Sequence, residues 1–170
     1  WSSDVYSSDL EEIVGKALAG RRDDVILATK VHNPMGDDPN HRGNSRRWIM
    51  RAVENSLRRL NTDWIDLYQI HRWDPVVPID ETLEALNDLV RAGKVRYIGI
   101  SGYPMKIFNY VLDHCDLDVV LSYNHYHLQS RNFEKLIPRL KERGVGIMNA
   151  APFCARLLTK APLPAWHKSE

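Results

Sequence analysis

Lys30 stands near the end of the apolar run DVILATKV (24–31), and His71 ends a second such run, WIDLYQIH (64–71). A lysine that closes a buried strand needs its charge satisfied or its pKa lowered. Histidine is the side chain whose ordinary pKa lies closest to neutrality. Adjacent parallel strands lie about 4.8 Å apart, so if these two strands pair, an ammonium and an imidazole enter one mouth. That pair suits proton transfer. It does not suit nucleophilic hydrolysis, because no serine or cysteine sits in an elbow motif. Polar residues at strand ends also simply meet water, and on these residues alone both readings stay open.

The elements that must hold Lys30 and His71 are legible from periodicity. Ser8-Asp9-Leu10-Glu11 has the form of a capping box. Leu10, Ile13, Val14, Ala17 and Leu18 follow at helical spacing, and Gly20 is placed to end that helix. The strand 24–31 is followed by a polar loop, HNPMGDDPNHRGNS. A helix over about 45–60 carries Ile49, Val53, Leu57 and Leu60 on one face, with Asn61 as its C-terminal cap. After the strand 64–71, Pro75 and Pro78 break the chain. Ile79, Leu83, Leu86 and Val90 mark a third helix, ended by Gly93. VRYIGIS (95–101) reads as a strand, and Pro104, Ile107 and Val111 as a short helix. DVVLSYN (118–124) reads as a strand, and Phe133, Leu136, Ile137 and Leu140 as a helix that Gly144 ends. VGIMNAA (145–151) reads as the last strand.

One helix, then five short strands apolar on both faces with four helices between them, predicts an α/β fold with a parallel sheet covered by helices. Two architectures fit: a doubly wound open sheet, or a run of βα units from a (β/α)8 barrel. No G-x-G-x-x-G turn follows any strand, so a Rossmann-type dinucleotide fold has no support. In either architecture function collects at the carboxyl ends of the strands. Those ends are Lys30, His71, Ser101, the Tyr123–Asn124 region and Ala150–Pro152.

Composition narrows the classes. The chain has 170 residues, 44% hydrophobic and 26% charged, which suits one globular domain with a core of its own. A net charge of +1 gives no argument for nucleic acid or an anionic membrane. No apolar run approaches the length of a membrane span, and no signal peptide is visible. Cys115 and Cys154 belong to no zinc-spaced set and read as buried thiols in a reducing, cytoplasmic setting. His125 and His127 in NHYH lack a third ligand at suggestive spacing, so no metal site is expected. The arginines between His41 and Leu60 read as a solvated helix face rather than a phosphate contact.

Five segments carry a resemblance: DVYSSDLEEIVGKAL, DVILATKV, SLRRLNTDWIDLYQIHRWDP, ETLEALNDLVRAGKVRYIGIS and GVGIMNAAPFCARLLT. Together they resemble the aldo-keto reductases over nearly the whole chain, in the family's order and spacing. The first hundred residues look like the bacterial general reductases and the potassium-channel beta-subunit branch. From KIFNYVLDHCDLDVVLSYNHYHL onward the chain looks more like the L-galactose dehydrogenase branch. The resemblance implies a (β/α)8 TIM barrel, present here as about five βα units, strands three to seven. It implies a nicotinamide cofactor, NADP (NADPH) with NAD as the alternative, and a small carbonyl or alcohol substrate.

By the same resemblance the catalytic tyrosine falls on Tyr6, the lysine on Lys30 and the histidine on His71. Tyr6 would donate the proton, Lys30 would lower its pKa, and His71 would hydrogen-bond the substrate oxygen. Trp73 would line a substrate pocket or serve as a rim aromatic. Ser101 resembles the nicotinamide-amide contact after the fifth barrel strand, Gly102 follows it at a cofactor-binding position, and Tyr123 stands at the sixth-strand cofactor position. Ala150, Ala151, Pro152 and Phe153 match the segment beneath the nicotinamide and diphosphate. The sequence departs from the family pattern in four places. Trp1 stands at the place of the tetrad aspartate, Gly102 at that of an asparagine, Tyr123 at that of a glutamine, and Arg156 at that of a glycine.

A whole barrel takes about 250 residues. The chain therefore reads as one partial barrel domain over 1–170, a fragment of a longer enzyme or a partly ordered one. Its open edges invite self-association or pairing with a complementary segment. Three readings follow: an NAD(P)H-dependent oxidoreductase interconverting carbonyls and alcohols, a barrel fragment that binds cofactor or a partner without turnover, or a fragment with no function of its own.

Overall fold

The computed structural model describes residues 3–102, 105–154, 157–160 and 162, and for residues 3–8 the backbone alone. The chain divides into two compact units, 1–99 and 100–170, and each is described by itself. Unit 1 holds α1 (Ser3–Ala17), a 3-10 turn (Arg22–Asp24), β1 (Ala28–Val31), α2 (Arg46–Leu60), β2 (Ile65–Ile70), α3 (Ile79–Arg91) and the first five residues of β3 (Val95–Gly102). Unit 2 holds the end of β3, α4 (Lys106–His114), β4 (Val119–Tyr123), a 3-10 turn (Asn132–Lys135), α5 (Ile137–Glu142) and β5 (Gly146–Ala150).

The strand order β1-β2-β3-β4-β5 follows the chain without reversal. A doubly wound sheet reverses its order at a switch point, whereas a barrel adds each new strand beside the last. Of the two architectures open from periodicity, the sequential order selects consecutive units of a (β/α)8 barrel. β1 pairs with β2 and β4 with β5, both in parallel.

In unit 1 the core forms where periodicity predicts it. Ile49, Val53, Leu57 and Leu60 of α2 are all buried. In α3, Leu83 and Leu86 are buried as expected, but Val90 is 37% exposed and Ile79 half-buried, and Ala85 and Leu89 fill the core instead. The Ser45 side chain caps α2 by accepting from the Trp48 N–H, and Asn61 ends it in the left-handed region at φ 51. All six residues of β2 are buried, as a central parallel strand demands. In unit 2, Ile107, Phe108, Val111 and Leu112 of α4 are buried, and Phe108 meets Phe133 edge-on with centroids 6.2 Å apart.

Several expectations need correction. The helix α1 begins at Ser3, so Ser8 does not cap it. Its apolar stripe also misnames the buried face. Leu10 and Ile13 are 60% and 61% exposed, while Glu11 and Gly15 are buried. The reason is polar docking. Glu11 pairs with Arg59 of α2 at 2.7 Å, and a Cβ at Gly15 would stand 2.6 Å from the Arg59 carbonyl oxygen. Only glycine lets the two helices approach this closely. The strand predicted from residue 24 begins at Ala28, because the Leu27 N–H bonds the Asp66 carboxylate instead of a ladder partner and Ile26 is 84% exposed. The helix predicted from Phe133 splits, and Pro138, which has no N–H to donate, opens the first turn of α5. Cys115 is half-buried and bonds the Val111 carbonyl rather than lying in the core. Finally, β5 is the last strand of the sheet and is exposed on both faces through Asn149, unlike the strand apolar and buried on both faces that was expected.

Candidate active site

Parallel pairing brings Lys30 and His71 together in unit 1. The register sets Lys30 opposite Gln69, and the His71 N–H continues the ladder to the Val31 carbonyl at 2.9 Å. Side chains alternate along a strand, so Lys30, Gln69 and His71 share one face at the carboxyl end. Thr29 and Tyr68 face the other way, where the Thr29 hydroxyl donates to Glu11 at 2.6 Å. Trp73 is half-buried in the loop just past His71.

Burial lowers the pKa of both groups at this mouth. Lys30 is exposed by area, yet the protein around its stem removes enough water to hold its ammonium pKa below the ordinary value. His71 is lowered to about 4, first by burial and then by the positive charges of Lys30 and Arg72, with a smaller effect from His32. At neutral pH His71 is therefore a neutral imidazole, able to donate a hydrogen bond from one nitrogen and accept at the other. The Asn33 amide nitrogen lies 3.2 Å from its Nδ1.

The loop after β1 (32–45) is tied down around this point. His32 has φ 141, an uncommon conformation for a side-chain-bearing residue. Its carbonyl accepts from the Gly43 N–H at 2.7 Å, and its Nδ1 meets Asn44 Oδ1 at 3.0 Å. Asn44 is 3% exposed and uses its remaining polar groups as well. Its Nδ2 donates to the Arg72 carbonyl at 2.9 Å, its N–H to Asp74 at 3.2 Å, and its carbonyl accepts from Thr82 at 2.9 Å. The loop after β1 is thus laced to the loop after β2 and to α3.

His71 has a direct consequence for stability. Its folded pKa lies below the unfolded value of 6.5, so between 6.5 and about 4 the folded chain binds fewer protons than the unfolded one. Stability is complete above that window and falls as pH drops through it. Discounted for partial exposure, the loss is on the order of 1 kcal/mol. His125 is also lowered, chiefly by burial, and adds to the same slope. For Asp66, burial pushes the pKa up, but hydrogen bonds from the Leu27 N–H and Arg22 and the charges of Arg22 and Arg96 outweigh it, so it acts at lower pH. Urea midpoints measured across pH 7 to about 5 should slope for the native chain and slope less for His71→Gln; equal slopes would refute the buried neutral histidine.

Unit 2 carries the remaining predicted positions. Ser101 and Gly102 end β3, and both are buried. Tyr123 ends β4 opposite Ala150 and is 42% exposed. The chain then turns at Asn124 (φ 61), whose N–H donates to the Ala150 carbonyl at 3.2 Å. Ala151 is also left-handed (φ 60), and the turn closes when the Cys154 N–H donates to its carbonyl at 3.0 Å. Pro152 and Phe153 stand on this turn, Phe153 61% exposed. Asn124 Oδ1 is buried and accepts no hydrogen bond within the described residues.

Three predicted features lie outside the described residues: the side chain of Tyr6, whose backbone is in α1, and the departures Trp1 and Arg156. The structure adds Asn33, His32 and Asn44, which strand-end reasoning missed. The signal was present in Lys30-Val31-His32-Asn33, where polar side chains continue past the strand. Of the signals set aside, three arginines of α2 have partners within the protein: Arg46 with Asp88, Arg59 with Glu11, and Arg58 with Asn55. His127 Nδ1 accepts from the Gln129 N–H at 3.2 Å within a turn. Among the described residues no three His, Cys, Asp or Glu gather as metal ligands, and no helix is long and apolar enough to cross a membrane.

Comparison with known proteins follows the same lines. The profile of the "Aldo/keto reductase family" matches residues 2–168. An L-galactose dehydrogenase from Arabidopsis thaliana is 37% identical over 178 residues, covering 98% of this chain and 54% of that protein. The aldo-keto reductase YhdN of Bacillus subtilis is 40% identical over 152 residues, covering 88% of this chain and 45% of that protein. The holo form of aldo-keto reductase AKR11C1 from Bacillus halodurans superposes with a TM-score of 0.79 at 38% identity, covering 93% of this chain and 53% of that one. The chain spans about half the length of the relatives it matches. With its sequential βα order and nearly end-to-end match, the chain belongs to the aldo/keto reductase family.

Proposed function

We propose that this chain carries the proton-handling and nicotinamide-facing residues of an NAD(P)H-dependent carbonyl reductase. The observation that carries the reading is the Lys30–His71 mouth, a lysine and a histidine on one face of paired strands with both pKa values lowered. Ser101, Gly102, Tyr123 and Ala150–Phe153 would hold the nicotinamide, with NADP ahead of NAD. What a bound dihydronicotinamide supplies is a hydride to the carbonyl carbon.

The chain's own residues handle the rest. As the carbon–oxygen π pair moves onto oxygen, the Tyr6 hydroxyl gives that oxygen its proton, and water later restores the phenol. A free phenol, with pKa about 10, is a poor acid at neutral pH, and a nearby ammonium favours the phenolate. Lys30 supplies that ammonium. His71 donates a hydrogen bond to the same oxygen and steadies the growing charge. Trp73 lines the apolar side of the substrate. In the reverse direction the same groups take up the proton of an alcohol. The two units form one reductase domain over 1–170 in this reading, working in the cytoplasm, and the exposed edge strand β5 would let copies associate, read as concentration-dependent sedimentation.

Titration with NADPH, followed by quenching of tryptophan fluorescence, tests the binding half, and repeating it with NADH tests the cofactor preference. Turnover of aldehydes and ketones by the native chain and by Tyr6→Phe tests the chemistry. The expected result is saturable binding by both proteins, with turnover lower by about 100- to 10,000-fold in Tyr6→Phe. Binding by both with no turnover in the native chain would favour the second reading, a cofactor-binding barrel segment without catalysis.

A further inference from the structure

Asn33 is not among the family residues matched to this chain, yet its side chain faces the candidate histidine directly. Its amide nitrogen lies 3.2 Å from Nδ1 of His71. With the amide in this orientation its nitrogen donates, and the ring nitrogen it meets presents a lone pair. The single proton of a neutral imidazole then sits on Nε2. The loop is built to keep this contact. His32, held in its uncommon conformation by Gly43 and Asn44, turns the chain immediately before Asn33. Buried Asn44 ties that turn to the Arg72 carbonyl, next to His71 in sequence, and to Asp74. Among the described residues, Lys30 from β1, His32 from the loop and Arg72 beyond β2 act on His71, and all three disfavour the imidazolium.

We propose that Asn33 is a positioning residue that fixes His71 as the Nε2–H tautomer, so that the imidazole offers a donor rather than a lone pair to a substrate carbonyl oxygen. The consequence for substrate rests on the reading of His71 given above; the tautomer itself does not. If Nδ1 carried the proton, Nε2 would repel a carbonyl oxygen, and the same ring would hinder hydride transfer instead of assisting it.

The test is imidazole-nitrogen NMR on the labelled chain near pH 7, where a protonated and a lone-pair ring nitrogen differ widely in shift. His71 should show a lone pair at Nδ1 and a proton at Nε2. In Asn33→Asp a carboxylate replaces the donor, so the proton should move to Nδ1 and the His71 pKa should rise. NADPH affinity should be unchanged while kcat/KM falls about 10- to 100-fold, the scale of one misplaced hydrogen bond. Asn33→Ala should lower kcat/KM less, since it removes the donor without inviting the wrong tautomer. A protonated Nδ1 in the native chain would overturn the assignment without any variant. An unchanged tautomer in a folded Asn33→Asp would overturn it as well. If the tautomer switches as expected and neither protein turns over, the assignment stands and the catalytic reading of His71 fails.

Discussion

Lys30→Met should reduce carbonyl turnover by about 100- to 10,000-fold and at the same time raise the pKa of His71. The two effects have one cause. Lys30 is the first of the charges that depress His71, after burial itself, and in the proposed mechanism it is also the charge that makes the Tyr6 phenol a usable acid. Removing the ammonium while keeping the stem leaves the strand packing nearly intact, because Lys30 is exposed at the end of β1. The pKa shift is read by NMR titration and needs neither cofactor nor substrate. Turnover is read separately, and its alkaline limb should move to higher pH as the acid's pKa rises. A His71 pKa that stays near 4 would show that burial alone sets it and that the two groups do not interact. A normal His71 response with unchanged turnover would leave the geometry standing and remove Lys30 from the chemistry.

The second large effect is expected at Glu11, which the apolar stripe of α1 placed on the wrong face. Its carboxylate is 8% exposed, with Arg59 at 2.7 Å on one oxygen and the Thr29 hydroxyl at 2.6 Å on the other. Close by lies the buried Tyr68 hydroxyl, which finds no hydrogen-bond partner among the described residues and whose pKa is pushed up by burial and then by the Glu11 charge. Glu11→Gln keeps the shape but leaves Arg59, 20% exposed, without its counter-charge in a partly dry site. Breaking one half of such a pair costs about 3 kcal/mol, allowing for the exposure of the arginine. Urea unfolding would measure it directly. Replacing both partners with leucine should cost much less than the two single losses combined, since the penalty lies in the orphaned charge rather than in the absent attraction. A loss below about 0.5 kcal/mol in Glu11→Gln would mean that solvent already screens the pair. Because α1 also carries Tyr6, loosening this contact should lower turnover before it unfolds the chain.

The sequence by itself determined the element order, the parallel sheet and the strand ends where chemistry gathers. These follow from periods of 2.0 and 3.6 residues and from punctuation by glycine, proline and asparagine, all of which act over a few residues. Asn61 and Ser45 ended and opened α2 where local chemistry required it. The resemblance supplied Tyr6, which no spacing rule would have named, and a cofactor role for strand ends that periodicity had only located. The choice between a barrel and a doubly wound sheet depended on strand order, a property of pairing between strands far apart in the chain. The buried face of α1 depended on an arginine 48 residues further on, so an apolar stripe could not find it. The partner of His71 was decided in the same way. Asn33 and His71 lie 38 residues apart, and they meet only because β1 and β2 pair in register and a strained, hydrogen-bonded loop returns over their ends. Local sequence sets which groups exist and which element carries each. Only folding sets which of them touch, because burial, charge and hydrogen-bond direction are properties of neighbours in space rather than along the chain.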